Sequence, residues 1–331
     1  ALATRLSCFL WSSLPDAELR RIAGAGELRD PENLAAQTKR LLSDDRVRRL
    51  AIQFGCQWLG VRGFDQLDEK SERHFPDFKD LRGSMYEETI RFFTDLFQAD
   101  GPLLSLLDAN HTFVNAELAN FYGLTVPETT ETWFQVSDVN QAGRGGILGF
   151  ATTLAKQSGA SRTSPILRGN WISETLLGER LPKPPRDVPQ LPAEVPFGLS
   201  ERELIAKHSA DPSCAKCHAK IDPYGFALEN YDAIGRWRGN SNTQAVLPDG
   251  KSIEGIDGLR HYLLNDRRDA FVRHFCHKLL GFALGRAVKL SDEPLLDDMM
   301  TKLKSKDYRF SVAVEAVVLS SQFRSIRGAG Q

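Results

Sequence analysis

Apolar residues recur at helical spacing through the first hundred positions. Val47, Leu50, Ala51, Phe54 and Trp58 fall at i, i+3, i+4, i+7 and i+11, the stripe of a helix that buries one face. Pro15 and Pro31 stand where first-turn prolines belong, since the missing N–H costs nothing there. Ser84-Met-Tyr-Glu87 has capping-box spacing, and Tyr86, Ile90, Phe93 and Phe97 line one side of the helix it would start. Asp100-Gly101 stops that helix. Residues 103–123 predict a short helical hairpin, with Gly123 as its C-cap.

The pattern breaks at Leu181-Pro-Lys-Pro-Pro-Arg-Asp-Val-Pro-Gln-Leu-Pro-Ala-Glu-Val-Pro196, which cannot continue a helix and predicts an extended polyproline II run. A helix follows near Glu201–His208. Pro248-Asp-Gly250 then predicts a turn between two short strands, Gln244–Leu247 and Lys251–Ile253. In the helical tail, Phe271, Phe275, Leu279 and Phe282 share a face, and Gly285 is placed to end the helix. The expected fold is mainly α, helical bundle-like units with at most a small β-hairpin. Its expected divisions are a helical scaffold at 1–160, a second region at 161–243 including the Pro-rich linker 181–196, and a helical domain at 244–331. No repeat of 20 to 50 residues is present.

With 331 residues, 41% of them hydrophobic, the chain can bury more than one core. Lys plus Arg (42) nearly cancel Asp plus Glu (43), so no global field attracts nucleic acid or an anionic membrane face. No apolar run reaches the roughly 20 residues a membrane span needs. The first residues, Ala1 to Trp11, have the look of a helix interior and lack the basic-then-apolar layout of a secretory signal, so a longer precursor is expected.

Chemistry can be named at one stretch, Cys214-Ala-Lys-Cys217-His218. Two thiols three positions apart can each add to one vinyl group of a porphyrin, and the adjoining His218 is then held where its imidazole reaches the iron. The predicted cofactor is therefore haem c. A zinc site would want two further ligands nearby, and only the distant His274, Cys276 and His277 offer themselves. A dithiol redox pair would want a preceding strand, where a polar helix and Asp211-Pro-Ser213 stand instead. The remaining cysteines, Cys8, Cys56 and Cys276, are odd in number and are expected to be buried thiols.

The second axial ligand stays open among Met299, Met300, His208, His274 and none. Leu295, Met299 and Leu303 also form an apolar stripe that favours core packing for the methionines, and His277 points away from its helix's stripe. Arg236 and Arg238, in Gly-Arg-Trp-Arg, suit a clamp on the haem propionates because guanidinium pairs bidentately with carboxylate, although a solvated basic turn fits as well. Ser161-Arg-Thr-Ser-Pro165 with Arg168 lacks the ordering of a nucleophilic triad and is expected to be a structural or interface loop.

Several segments together resemble one family, the planctomycete-type multidomain cytochromes c. Residues 5–16, 57–60 and 115–123 resemble its opening region. Ser161–Gly169, Leu176-Leu-Gly178, the box and Asp222-Pro-Tyr-Gly-Phe-Ala-Leu-Glu-Asn-Tyr-Asp-Ala-Ile-Gly-Arg-Trp-Arg238 resemble its cytochrome-like region. Lys278-Leu-Leu-Gly-Phe-Ala-Leu-Gly-Arg286, Asp307–Phe310 and Ser320–Phe323 are similar to the last. The resemblance implies covalent haem on Cys214 and Cys217, His218 as proximal iron ligand, an extracytoplasmic location, and amino-terminal modules in a longer protein. Members often carry Met where this chain has Ile221, which argues against a distal ligand at that position. No settled substrate comes with the family. The expected function is single-electron transfer to a redox partner protein or a neighbouring module. A haem enzyme of peroxidase or oxidase type is the alternative, and an assembly module with a structural haem is a third reading.

Overall fold

A computed structural model of the chain describes residues 1–128, 130–182, 191–192, 195–239 and 241–325. Most of the Pro-rich stretch, and with it the expected polyproline II run, lies outside the described residues. Among those described, the fold is mainly α, with seventeen α-helices and two small antiparallel two-stranded sheets. The chain forms two compact units built from separated segments.

The first unit comprises Ala1–Arg62, Ile90–Leu106 and Val272–Gln331. Asp30 caps helix Pro31–Leu42 by accepting the Glu32 and Asn33 N–H groups, with Pro31 in the first turn as expected. Pro15 instead stands ahead of Asp16, the cap of helix Ala17–Gly24. The stripe from Val47 to Trp58 is buried throughout, but it is not one α-helix. A 3₁₀ turn at Asp45–Val47 and a short helix Arg48–Leu50 lead into a π-helical turn, Ala51–Cys56. Within that turn Gly55 lies so near the Phe93 ring that a Cβ would sit 2.8 Å from it. The rings of Phe54 and Trp58 stack, and both meet Phe275 edge-on at 5.5 and 5.2 Å.

Helix Arg268–Leu284 ends as predicted, on Gly285 at φ +62° with the Arg286 N–H returning to the Gly281 carbonyl. Leu295, Met299 and Leu303 form a buried stripe on helix Glu293–Ser305, and Met300 is buried with them. Cys56 and Cys276 are buried thiols, whereas Cys8 is exposed, on the outer face of the amphipathic helix Leu2–Trp11.

The second unit comprises Gly63–Thr89 and Leu107–Phe271. Helix Phe78–Gln98 begins six residues before Ser84, because buried Phe78, Leu81 and Met85 extend its apolar stripe upstream. Ser84 is therefore no N-cap. Its hydroxyl donates to Glu117 and accepts from Asn115 Nδ2. The stretch read as a helical hairpin holds helix Ser105–Asp108, strand His111–Val114 and helix Ala116–Tyr122, which Gly123 closes as expected. The strand pairs with Phe134–Ser137, His111 opposite Ser137. The predicted hairpin is present too, Gln244–Val246 against Ser252–Glu254.

Glu88 is fully buried, accepting the Thr112 hydroxyl at 2.6 Å and the Tyr122 hydroxyl at 2.5 Å. Loss of solvent pushes its carboxyl up to about 7, despite those two donors.

Candidate cofactor-attachment site

Ser200 starts the approach to the box with a capping box of its own. It caps helix Glu201–Ser209 by accepting the Glu203 N–H, while Glu203 Oε2 accepts the Ser200 N–H at 2.7 Å. After a two-residue turn, Asp211 accepts the Cys214 and Ala215 N–H groups at 2.9 Å and opens helix Pro212–Phe226. Cys214, Cys217 and His218 thus stand at i, i+3 and i+4, the spacing that puts side chains on one helical face. Cys214 is buried, Cys217 half-buried, and neither is disulfide-linked.

His218 is 11% exposed, and its Nδ1 lies 3.0 and 2.9 Å from the two carboxylate oxygens of Asp222, one turn further on. A carboxylate only accepts, so Nδ1 carries the proton. Nε2 makes no hydrogen bond among the described residues, which leaves its lone pair for a metal. The His208 ring packs edge-on against His218, with ring centres 5.2 Å apart. Of the residues considered as a second axial ligand, His208 is therefore in contact with the His218 imidazole, while Met299 and Met300 are buried in the first unit's core. Ile221 is buried as well.

A cleft of about 310 Å³ opens beside His218, with Ala215, Ala219, Phe226, Ala245 and Val246 as its apolar wall. Arg202 closes one side. Its guanidinium lies 3.9 Å from the Phe226 ring centre and donates to the carbonyls of Asn242 and Gln244, while its Nε is enclosed without a partner. Asp222 and Arg202 were both missed in the sequence. The His-x-x-x-Asp spacing on a helix could have found Asp222. Nothing local could have found Arg202, whose partners come from the edge of the hairpin some forty residues on.

The box helix is seated by close backbone contact with helix Pro165–Trp171. A Cβ on Gly169 would fall 1.9 Å from the Ile221 carbonyl oxygen, and one on Gly225 would fall 1.9 Å from that of Pro165. Glycine on both helices is what permits the approach. Arg168, 1% exposed, then donates to the carbonyls of Leu228 and Tyr231 through Nη1 and of Asp232 through Nη2, and pairs with Glu229 at 3.3 Å. Thr163 donates to the same Glu229. The loop 161–165 with Arg168 is therefore structural, as its sequence implied: it folds the chain beyond the box back onto the box helix. Arg238 holds Glu229 from the other side, and Arg236 reaches Asp77 at 3.2 Å.

These residues suit a c-type haem. The two thiols stand three residues apart on one helix, the imidazole has its Nδ1 proton fixed by a carboxylate and its Nε2 available, and the neighbouring wall is apolar. A bare metal ion finds no such set: among the described residues no group of three or more His, Cys, Asp or Glu converges to hold one.

Fold and site together define a mainly α chain with a thiol, thiol, imidazole box on one helix. Three family models match it in succession, each described as a protein of unknown function: DUF1592 over residues 1–124, DUF1588 over 144–241 and DUF1585 over 249–323. These are domains of planctomycete-type cytochrome c proteins, and their succession supports that family for this chain. The box falls within the second match. No curated protein and no solved structure matches the chain.

Proposed function

We propose that this chain is the haem-bearing part of a c-type cytochrome, with the porphyrin bonded to Cys214 and Cys217, the iron on His218 Nε2, and single electrons passed to a redox partner or a neighbouring module. The observation that carries the reading is the placement of both thiols and an Asp-anchored imidazole on one helical face beside an apolar cleft. When bound, the haem supplies one-electron exchange between ferric and ferrous iron. Asp222 fixes the tautomer and orientation of His218, and Phe226, Ala245 and Val246 give the cleft beside the imidazole an apolar wall. Arg236 and Arg238 are the guanidinium pair assigned to the haem carboxylates, and each already holds a carboxylate, Asp77 and Glu229. The reading carries with it an extracytoplasmic location. No helix among the described residues is long and apolar enough to cross a membrane.

The test is to produce the chain in a host that attaches haem c. Haem retained through denaturing electrophoresis and acidified organic solvent, and released in C214A/C217A, is the expected result. A colourless product, or one carrying zinc, would refute the proposal.

A further inference from the structure

A second cavity, of about 350 Å³, lies wholly within the first unit, and the haem reading makes no use of it. Phe54 of the turn Ala51–Cys56, Trp58 just beyond it and Phe282 of helix Arg268–Leu284 are its aromatic walls. Phe54 and Trp58 lie with their ring planes within 8° of parallel and their centres 6.3 Å apart, so the cavity has an aromatic side of two similarly inclined rings. That side rests on a π-helical turn, a backbone irregularity that costs regular hydrogen bonding and recurs at binding sites.

The polar part of the lining is Gln53, Gln57, His277 and Lys278. Gln53 and Gln57 sit four residues apart, and their amides have no side-chain hydrogen bond among the described residues. Lys278 brings a full positive charge to the rim and has no ion pair among the described residues. No Asp or Glu among the described residues lines the cavity. Its open capacity is thus for a ligand that presents a π face to Phe54 and Trp58 and acceptor oxygens to two amides and an ammonium. Volume limits the ligand further. A dry cavity of about 150 Å³ takes benzene, so this one has room for one or two fused rings with a small polar substituent. We propose that this cavity is a binding site for a small planar aromatic carboxylate.

Calorimetric titration of the full chain with 2-naphthoate, 2-naphthalenemethanol and hexanoate tests the assignment, and needs no haem on the box. Saturable one-to-one binding of 2-naphthoate is expected, with the neutral alcohol weaker and hexanoate without measurable affinity. Lys278→Glu, at an exposed position that supports no fold contact, should weaken 2-naphthoate by roughly tenfold and leave the alcohol unchanged. Gly281→Leu, which places a side chain at the cavity wall in a helix that favours leucine over glycine, should abolish both while the thermal midpoint is retained. The proposal is overturned by absent saturation with 2-naphthoate, by hexanoate binding equally, or by Lys278→Glu leaving the carboxylate's affinity unchanged. If Gly281→Leu lowers the thermal midpoint, the charge-reversal variant alone decides.

Discussion

Asp222 lies one helical turn beyond His218 and accepts its Nδ1–H at 2.9 Å. A carboxylate partner pushes electron density onto the imidazole and makes Nε2 a stronger donor, which favours the more highly charged ferric ion. Asp222→Asn keeps the shape and removes the charge. On the proposed haem reading, the haem-loaded chain should then show a midpoint potential more positive by on the order of 60 mV, the equivalent of about a tenfold change in relative affinity for a one-electron couple. Redox titration followed at the visible bands measures this, and a potential unmoved or more negative would separate Asp222 from the iron ligand.

Gly169 and Gly225 set how near the box helix comes to helix Pro165–Trp171. A methyl at either meets backbone carbonyl oxygen at 1.9 Å, and backbone cannot swing aside as a flexible side chain can. Alanine is the better helix former by about 1 kcal/mol, so helix propensity and packing oppose each other here. Overpacking, at about 1–3 kcal/mol or more where helices must part, should win. Gly169→Ala and Gly225→Ala are expected to lower the urea midpoint, and equal or raised stability in either would show that the two helices can separate freely.

Arg168 satisfies three carbonyls and one carboxylate from a position with almost no solvent. Arg168→Met fills the space but removes the guanidinium: Glu229 keeps Thr163 and Arg238, and the Leu228 and Asp232 carbonyls keep only their backbone donors. Removing one partner of a buried pair costs about 3–5 kcal/mol, and the loss should appear in equilibrium urea unfolding. Arg168→Lys should recover little of it, because one ammonium cannot reproduce the planar fork that reaches all three carbonyls. A cost below about 1 kcal/mol for the methionine variant would mean that the loop 228–232 holds its shape unaided.

The helices were legible where their signal is local and repetitive. The stripe from Val47 to Trp58, the tail face from Phe271 to Phe282 and the Gly123 and Gly285 caps all declare themselves within one or two turns. The π-helical turn was not; the Phe93 ring packed against its Gly55 comes from a segment about forty residues away. Nor was strand His111–Val114, four residues long and paired with a segment twenty residues on. The Ser84 signal misled because capping spacing is weak information beside a continuing apolar stripe at Phe78, Leu81 and Met85. At the site the same division holds. Cys214, Cys217 and His218 are adjacent in the chain and could be read directly, whereas Arg202 depends on tertiary approach of the hairpin.

Burial of two ionisable groups in the second unit gives stability opposite slopes on either side of neutrality. Glu88 rises from 4.5 to about 7 in the folded chain through desolvation. Between those values the unfolded chain has shed a proton that the folded one keeps, so stability falls as pH rises, by up to on the order of 3 kcal/mol. Lys70, whose ammonium donates to the Ser158 and Gly159 carbonyls, is lowered from 10.5 to about 7, again chiefly by desolvation. From pH 7 to 10.5 the unfolded chain binds the extra proton, so this contribution rises with pH. Urea unfolding across pH 4 to 10 should therefore show a depression near pH 7. Glu88→Gln, which can still bond Thr112 and Tyr122, should flatten the acid limb alone, and Lys70→Met the alkaline limb alone. An acid limb unchanged in Glu88→Gln would place the titration on another group.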